Sequence, residues 1–121
     1  MKVIQIDQVA KEPPTNLKLF TGPVTMQTVV DTELSNKFSV RQVNFDQGVR
    51  NKFHSHSIEQ ILIVTKGTGI VATENEEVTV RLGTIIFIPA DESHWHGAVK
   101  DSTFSHLYVM SPAQETTQLE D

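Results

Sequence analysis

The chain has no cysteine among its 121 residues. That removes disulfides and thiolate ligands together, so any metal site must be built from nitrogen and oxygen donors, and the composition suits a reducing compartment. A long apolar run is also missing. The longest are four residues, such as ILIV at 61–64 and IIFI at 85–88, and fall far short of the roughly 20 residues that a membrane-spanning helix needs. The opening MKVIQIDQVAKEPPTN holds no apolar stretch of the secretory kind. A soluble, cytoplasmic protein with no membrane partner is expected. Basic residues are few: ten Lys and Arg stand against fifteen Asp and Glu, for a net charge of −5. With no basic stripe to track a phosphate backbone, nucleic acid is not an expected partner. No window carries a sustained 3.6-residue period with caps, and there is no internal repeat.

What remains is a succession of short strand-like segments. KFSVRQVNF (37–45), EQILIVT (59–65), GIVAT (69–73), EVTVRL (77–82), TIIFIP (84–89), HWHGAV (94–99) and TFSHLYVM (103–110) are rich in β-branched and aromatic residues. Between them stand turn signals at DQG (46–48), KGTG (66–69), ENEE (74–77), LG (82–83) and PADES (89–93). The expectation is one all-β domain, an antiparallel sandwich or small barrel spanning 21–110 and including a further strand in TGPVTMQTVV (21–30). Residues 1–20 read as an N-terminal arm. SPAQETTQLED (111–121) reads as a polar acidic tail without order.

The histidines are the informative residues. Five occur in three groups: His54 with His56, His94 with His96, and His106 alone. Histidines at i and i+2 on a strand share a face, and a closed sheet brings a distant strand opposite them. Two such pairs therefore point to a divalent transition metal, although the spacing alone does not choose among Mn, Fe, Co, Ni, Cu and Zn.

Two motifs carry a resemblance. GVRNKFHSHSIEQ has glycine, five residues, then HxH. GTIIFIPADESHWH has glycine, five residues, proline, and a histidine five residues on. Together they resemble the paired motifs of the cupins, whose fold is an antiparallel double-stranded β-helix, or jelly-roll barrel. Asp91 stands where the second motif usually has glycine and Ala98 where it often has asparagine, which puts the shape of the 90–93 loop in question. FTGPV, HSHSIEQILIVTKGTG, HWHGA and FSHLYV narrow the resemblance to small single-domain cupins. These include the manganese-dependent bacterial hydroxynitrile lyases and relatives named for carboxymuconolactone decarboxylase. The resemblance implies metal ligation by His54, His56, Gln60 and His94, favours manganese, and places further histidines in the cavity.

Strict alternation from His54 puts His56, Ile58, Gln60, Leu62 and Val64 on one face and Glu59 on the other, so parity and motif both select Gln60. Four neutral ligands leave a divalent ion its full charge. His96 shares a face with His94, and His106 shares one with Phe104, Tyr108 and Met110. Beside a metal, and given the resemblance, His96 and His106 are the candidate general acid or base residues lining the cavity. Arg41 shares a face with Val43 and Phe45, so its guanidinium is expected inward and needs a negative partner. Asp31 or Glu33 could supply that partner, or an anionic small-molecule ligand could; Arg41 and Tyr108 are the candidate substrate-binding residues. Two functions stay open: a metal-dependent enzyme of lyase or isomerase type, and a non-catalytic cupin that binds or senses a small metabolite. Small cupins commonly dimerise, and a homodimer is expected, with the arm free to add a strand to a neighbour's edge.

Overall fold

The structure, a computed structural model, describes residues 1–121. Nine strands follow in order: β1 (Val24–Val30), β2 (Ser39–Phe45), β3 (His54–His56), β4 (Gln60–Thr73), β5 (Glu77–Arg81), β6 (Ile85–Ile88), β7 (His94–Ala98), β8 (Phe104–Met110) and β9 (Thr116–Gln118). Every pairing is antiparallel. The only helical elements are two 3₁₀ turns, Ile6–Gln8 and Leu17–Leu19. The sheet runs β1-β2-β8-β4-β7-β3-β9, with β5 and β6 also on β4, and curls into a jelly roll.

The long strand β4 makes the curl possible. Its first half pairs with β6 and β8, its second half with β5 and β7. KGTG was expected to be a turn separating two strands, but the chain passes straight through it. The register shifts between Val64 and Lys66, and Gly67 adopts φ +71°. A Cβ at Gly67 would run into the Thr103 carbonyl. The glycines thus serve a bulge that bends one strand from one sheet into the other.

Alternation fills the interior with Val43, Phe45, Leu62, Val64 and Phe104. On the opposite face, Gln27, Gln42 and Asn44 join in a hydrogen-bonded amide cluster. Buried Gln27 also donates to the carbonyls of Ile6 and Val9, and Glu12 pairs with Met26. The arm is thereby fastened along its own β1. The tail also departs from its expected disorder: β9 adds to β3, and Glu120 bridges Arg50 at 2.8 Å and accepts from Phe53 N–H. Polar composition was a poor guide there, because the segment is held by ladder hydrogen bonds and one ion pair and needs no apolar face.

Candidate metal centre and its cavity

His54 and His56 project from one face of β3, and the antiparallel register sets His94 on β7 directly opposite His54. One ring nitrogen from each lies within 4.8 Å of the others. The rings are oriented from outside the cluster. His54 Nδ1 donates to Lys52 O at 2.7 Å and His94 Nδ1 to Glu92 O at 2.9 Å, the same two-residue reach back in both. His56 Nδ1 meets Thr116 Oγ1 at 2.9 Å, with Gln114 Oε1 at 3.3 Å. With Nδ1 protonated, each Nε2 keeps its lone pair for the interior.

Gln60 opens β4 and is buried, whereas Glu59 is exposed. The chain reaches it through a bend at 57–59 rather than an unbroken strand, yet parity survives. His56 Nε2, His94 Nε2 and Gln60 Oε1 are all buried without a hydrogen-bond partner. A buried acceptor left unmatched costs about 1–3 kcal/mol, so three within one small cluster point to an occupant. Burial, then the neighbouring His94, lowers His54 to about 3 and His56 to about 4; burial also lowers His94. The imidazoles are therefore neutral at pH 7 and hold the lone pairs a cation needs. The donor set fits a divalent transition metal held by His54, His56, His94 and Gln60.

His96 and His106 form a second unit. His96 Nδ1 lies 3.0 Å from His106 Nε2, and the His96 ring stacks near His94 at 5.7 Å and 17°. Asn51 Oδ1 accepts the His96 backbone N–H at 2.8 Å, so its Nδ2, 3.2 Å from His96 Nε2, must donate. That favours a proton on Nδ1 and a lone pair on Nε2 of His96. Burial, then His106, holds His96 well below its ordinary range, and burial lowers His106 to about 4. Phe45 packs against both rings. Both histidines were expected to line the cavity. His96 does, while His106 has no exposed surface and sits behind it, because the Phe45 and Phe104 rings fill that end of the barrel.

The cavity measures about 230 Å³ and is bounded by His54, His56, Gln60, His96, Arg41 and Tyr108 among others. His94 closes the cluster from the side of β5 and β6, where it also bounds an apolar cavity of about 320 Å³. Arg41 faces inward. Neither Asp31 nor Glu33 pairs with it, the sole salt bridge being Arg50 to Glu120. Three participants were not legible in the sequence. Asn51 acts only through a strand 45 residues away, and Gln114 and Thr116 lay in the segment read as disordered.

Residues 41–110 match the model of the cupin domain. The (R)-mandelonitrile lyase of Granulicella tundricola is 31% identical over 91 residues, covering 74% of this chain and 70% of its own. A cupin-like protein of Thermotoga maritima superposes with a TM-score of 0.82 at 29% identity, over 91% of this chain and 87% of its own. A predicted oxalate decarboxylase from the same organism shares the fold, with a TM-score of 0.80 at 21% identity over 98% and 100% of the two chains.

Proposed function

The chain belongs to the cupin family, and from that premise we propose that it is a metal-dependent enzyme on a small polar molecule, working by a lyase-type or isomerase-type reaction. The observation that carries this reading is the set of orphaned inward donors on His56, His94 and Gln60, beside a hydrogen-bonded imidazole pair outside the ligand set. The similarity to a mandelonitrile lyase supports the reaction class. Manganese is the proposed ion, on the family resemblance.

Held by His54, His56, Gln60 and His94, a divalent ion would supply Lewis acidity undiminished by any anionic ligand. The protein's own residues do the rest. His54, His56 and His94 enter with their rings already fixed by Lys52 O, Thr116 and Glu92 O, so little ordering is left for the moment of binding. His96 is the proton carrier at the cavity wall: its Nε2 lone pair accepts the Asn51 amide at 3.2 Å and takes up a proton once that amide turns away, while Nδ1 hands its own to His106 Nε2 along the 3.0 Å contact. Phe45 keeps water from the inner side of that pair.

Elemental analysis of protein purified without added metal is expected to find about one divalent transition ion per chain. His54→Ala should abolish it. His96→Ala should retain it and lower turnover by roughly 10²-fold or more in a screen of small carbonyl, hydroxynitrile and keto-acid substrates. Full metal content in His54→Ala overturns the site. Loss of metal in His96→Ala makes that residue a ligand rather than a base, and metal binding without turnover of any substrate leaves a metabolite-binding cupin.

A further inference from the structure

The cavity beside the histidines is electropositive in an acidic protein. None of the fifteen acidic residues lines it, and Arg41 is its one formally charged side chain. Glu76 and Glu92 border the separate cavity behind His94. The remaining polar wall is neutral, made of imidazoles, side-chain amides and hydroxyls such as those of Gln60, Asn51 and Tyr108.

Arg41 itself is unmatched. Its Nε is buried with no hydrogen-bond partner, and no carboxylate pairs with it. Asp31 borders the outer cavity that Arg41 also reaches, but its Oδ1 accepts the Glu33 backbone N–H at 3.0 Å. A guanidinium held without a counter-charge is costly unless something negative meets it when the protein works. Register explains its placement. Arg41 on β2 lies directly opposite Tyr108 on β8, and both residues border the inner cavity and an outer one of about 250 Å³. With Met110 and Gln114, the pair forms the wall that the two cavities share.

We propose that Arg41 and Tyr108 form an anion subsite that selects a small carboxylate, held by the guanidinium and phenol while its hydroxyl or carbonyl end faces the histidine cluster. This rests on the function proposed above and names the substrate class of that site. An inner cavity of about 230 Å³ lies below the usual range for drug-sized ligands, so the carboxylate is a short one. Charge-assisted, fork-shaped pairing is what separates a carboxylate from a neutral molecule of the same shape. A cavity without carboxylates adds to the discrimination by leaving the positive potential uncancelled.

Lactate and lactamide form a suitable probe pair, because they differ only in the charged end. Calorimetric titration of the protein as purified, with metal content measured alongside, is expected to show lactate binding about tenfold or more tightly than lactamide. Arg41→Met, which keeps the side-chain bulk, should erase that preference, weakening lactate about tenfold and lactamide by less than about twofold, with metal content unchanged. Arg41→Lys should restore part of it, which separates lost charge from damaged packing. His54→Ala separates the two readings: metal lost with the preference kept still places the carboxylate on Arg41. Preference lost with the metal and kept in Arg41→Met means that the ion holds the carboxylate, and the subsite is overturned. Equal weakening of both probes by Arg41→Met overturns it as well.

Discussion

Asp91 stands where the second cupin motif usually carries glycine, and it has kept the glycine's conformation, with φ at +67°. It is the one residue other than glycine with positive φ in the chain. Aspartate is among the few side chains that tolerate this region, through local hydrogen bonding of a short polar group. The geometry has a purpose nearby: Asp91 N–H donates to His56 O at 2.7 Å, tying the loop before His94 to β3, which carries His54 and His56. The substitution flagged in the motif thus changes the residue and leaves the turn. Asp91→Val is expected to destabilise by about 1–2 kcal/mol, since a β-branched residue bears the full cost of the left-handed region. Asp91→Gly should lie within about 1 kcal/mol of the parent, strain relief being offset by a more flexible unfolded chain. Urea midpoints at constant slope measure both, and an Asp91→Val protein as stable as the parent would mean that the loop relaxes to another turn.

Among the elements, β9 matters beyond its three residues. It adds the last strand beside β3, and its Thr116, with Gln114 just before it, orients His56 through Nδ1. Partners of this outer kind typically set metal affinity by 10–100-fold. Thr116→Val combined with Gln114→Leu should therefore weaken metal binding about 10- to 100-fold in competition with a chelator, while far-ultraviolet dichroism stays unchanged. Unaltered affinity would show that the His56 ring is held by packing alone.

For the molecule as a whole, concentrating every histidine in one interior has a pH cost. All five are buried with lowered proton affinity, first because of desolvation. Unfolded, each returns to about 6.5 and takes up a proton that the folded state refuses. The unfolded chain therefore binds more protons below that pH, and stability rises with pH across the window. In metal-free protein, stability is expected to be complete above about pH 6.5 and to fall progressively towards pH 4, where His56 and His106 titrate in the folded state. Urea midpoints at half-unit pH steps measure it. A flat profile between pH 7 and 5 would contradict the neutral-imidazole site. Metal should raise the whole curve and steepen it, because protons compete for the same lone pairs.

The sequence by itself determined the strand-rich class, the exclusion of thiolate chemistry, and which side chains share a face. Alternation is a property of the extended backbone, so Gln60 rather than Glu59, and Arg41 with Val43 and Phe45, could be placed without knowing any neighbour. The glycine and histidine spacings held the jelly roll as a resemblance, since bulges and loop lengths are local too. Only the tertiary structure decided what lies across a gap. That Asn51 orients His96, that Thr116 holds His56, that His106 stands behind His96, and that no carboxylate reaches Arg41 all depend on register between strands far apart in the chain. The KGTG signal shows the same division: glycine announces an unusual φ, and whether that φ makes a turn or a bulge is decided by the pairing with β8, which continues on to Gly67 and Phe104.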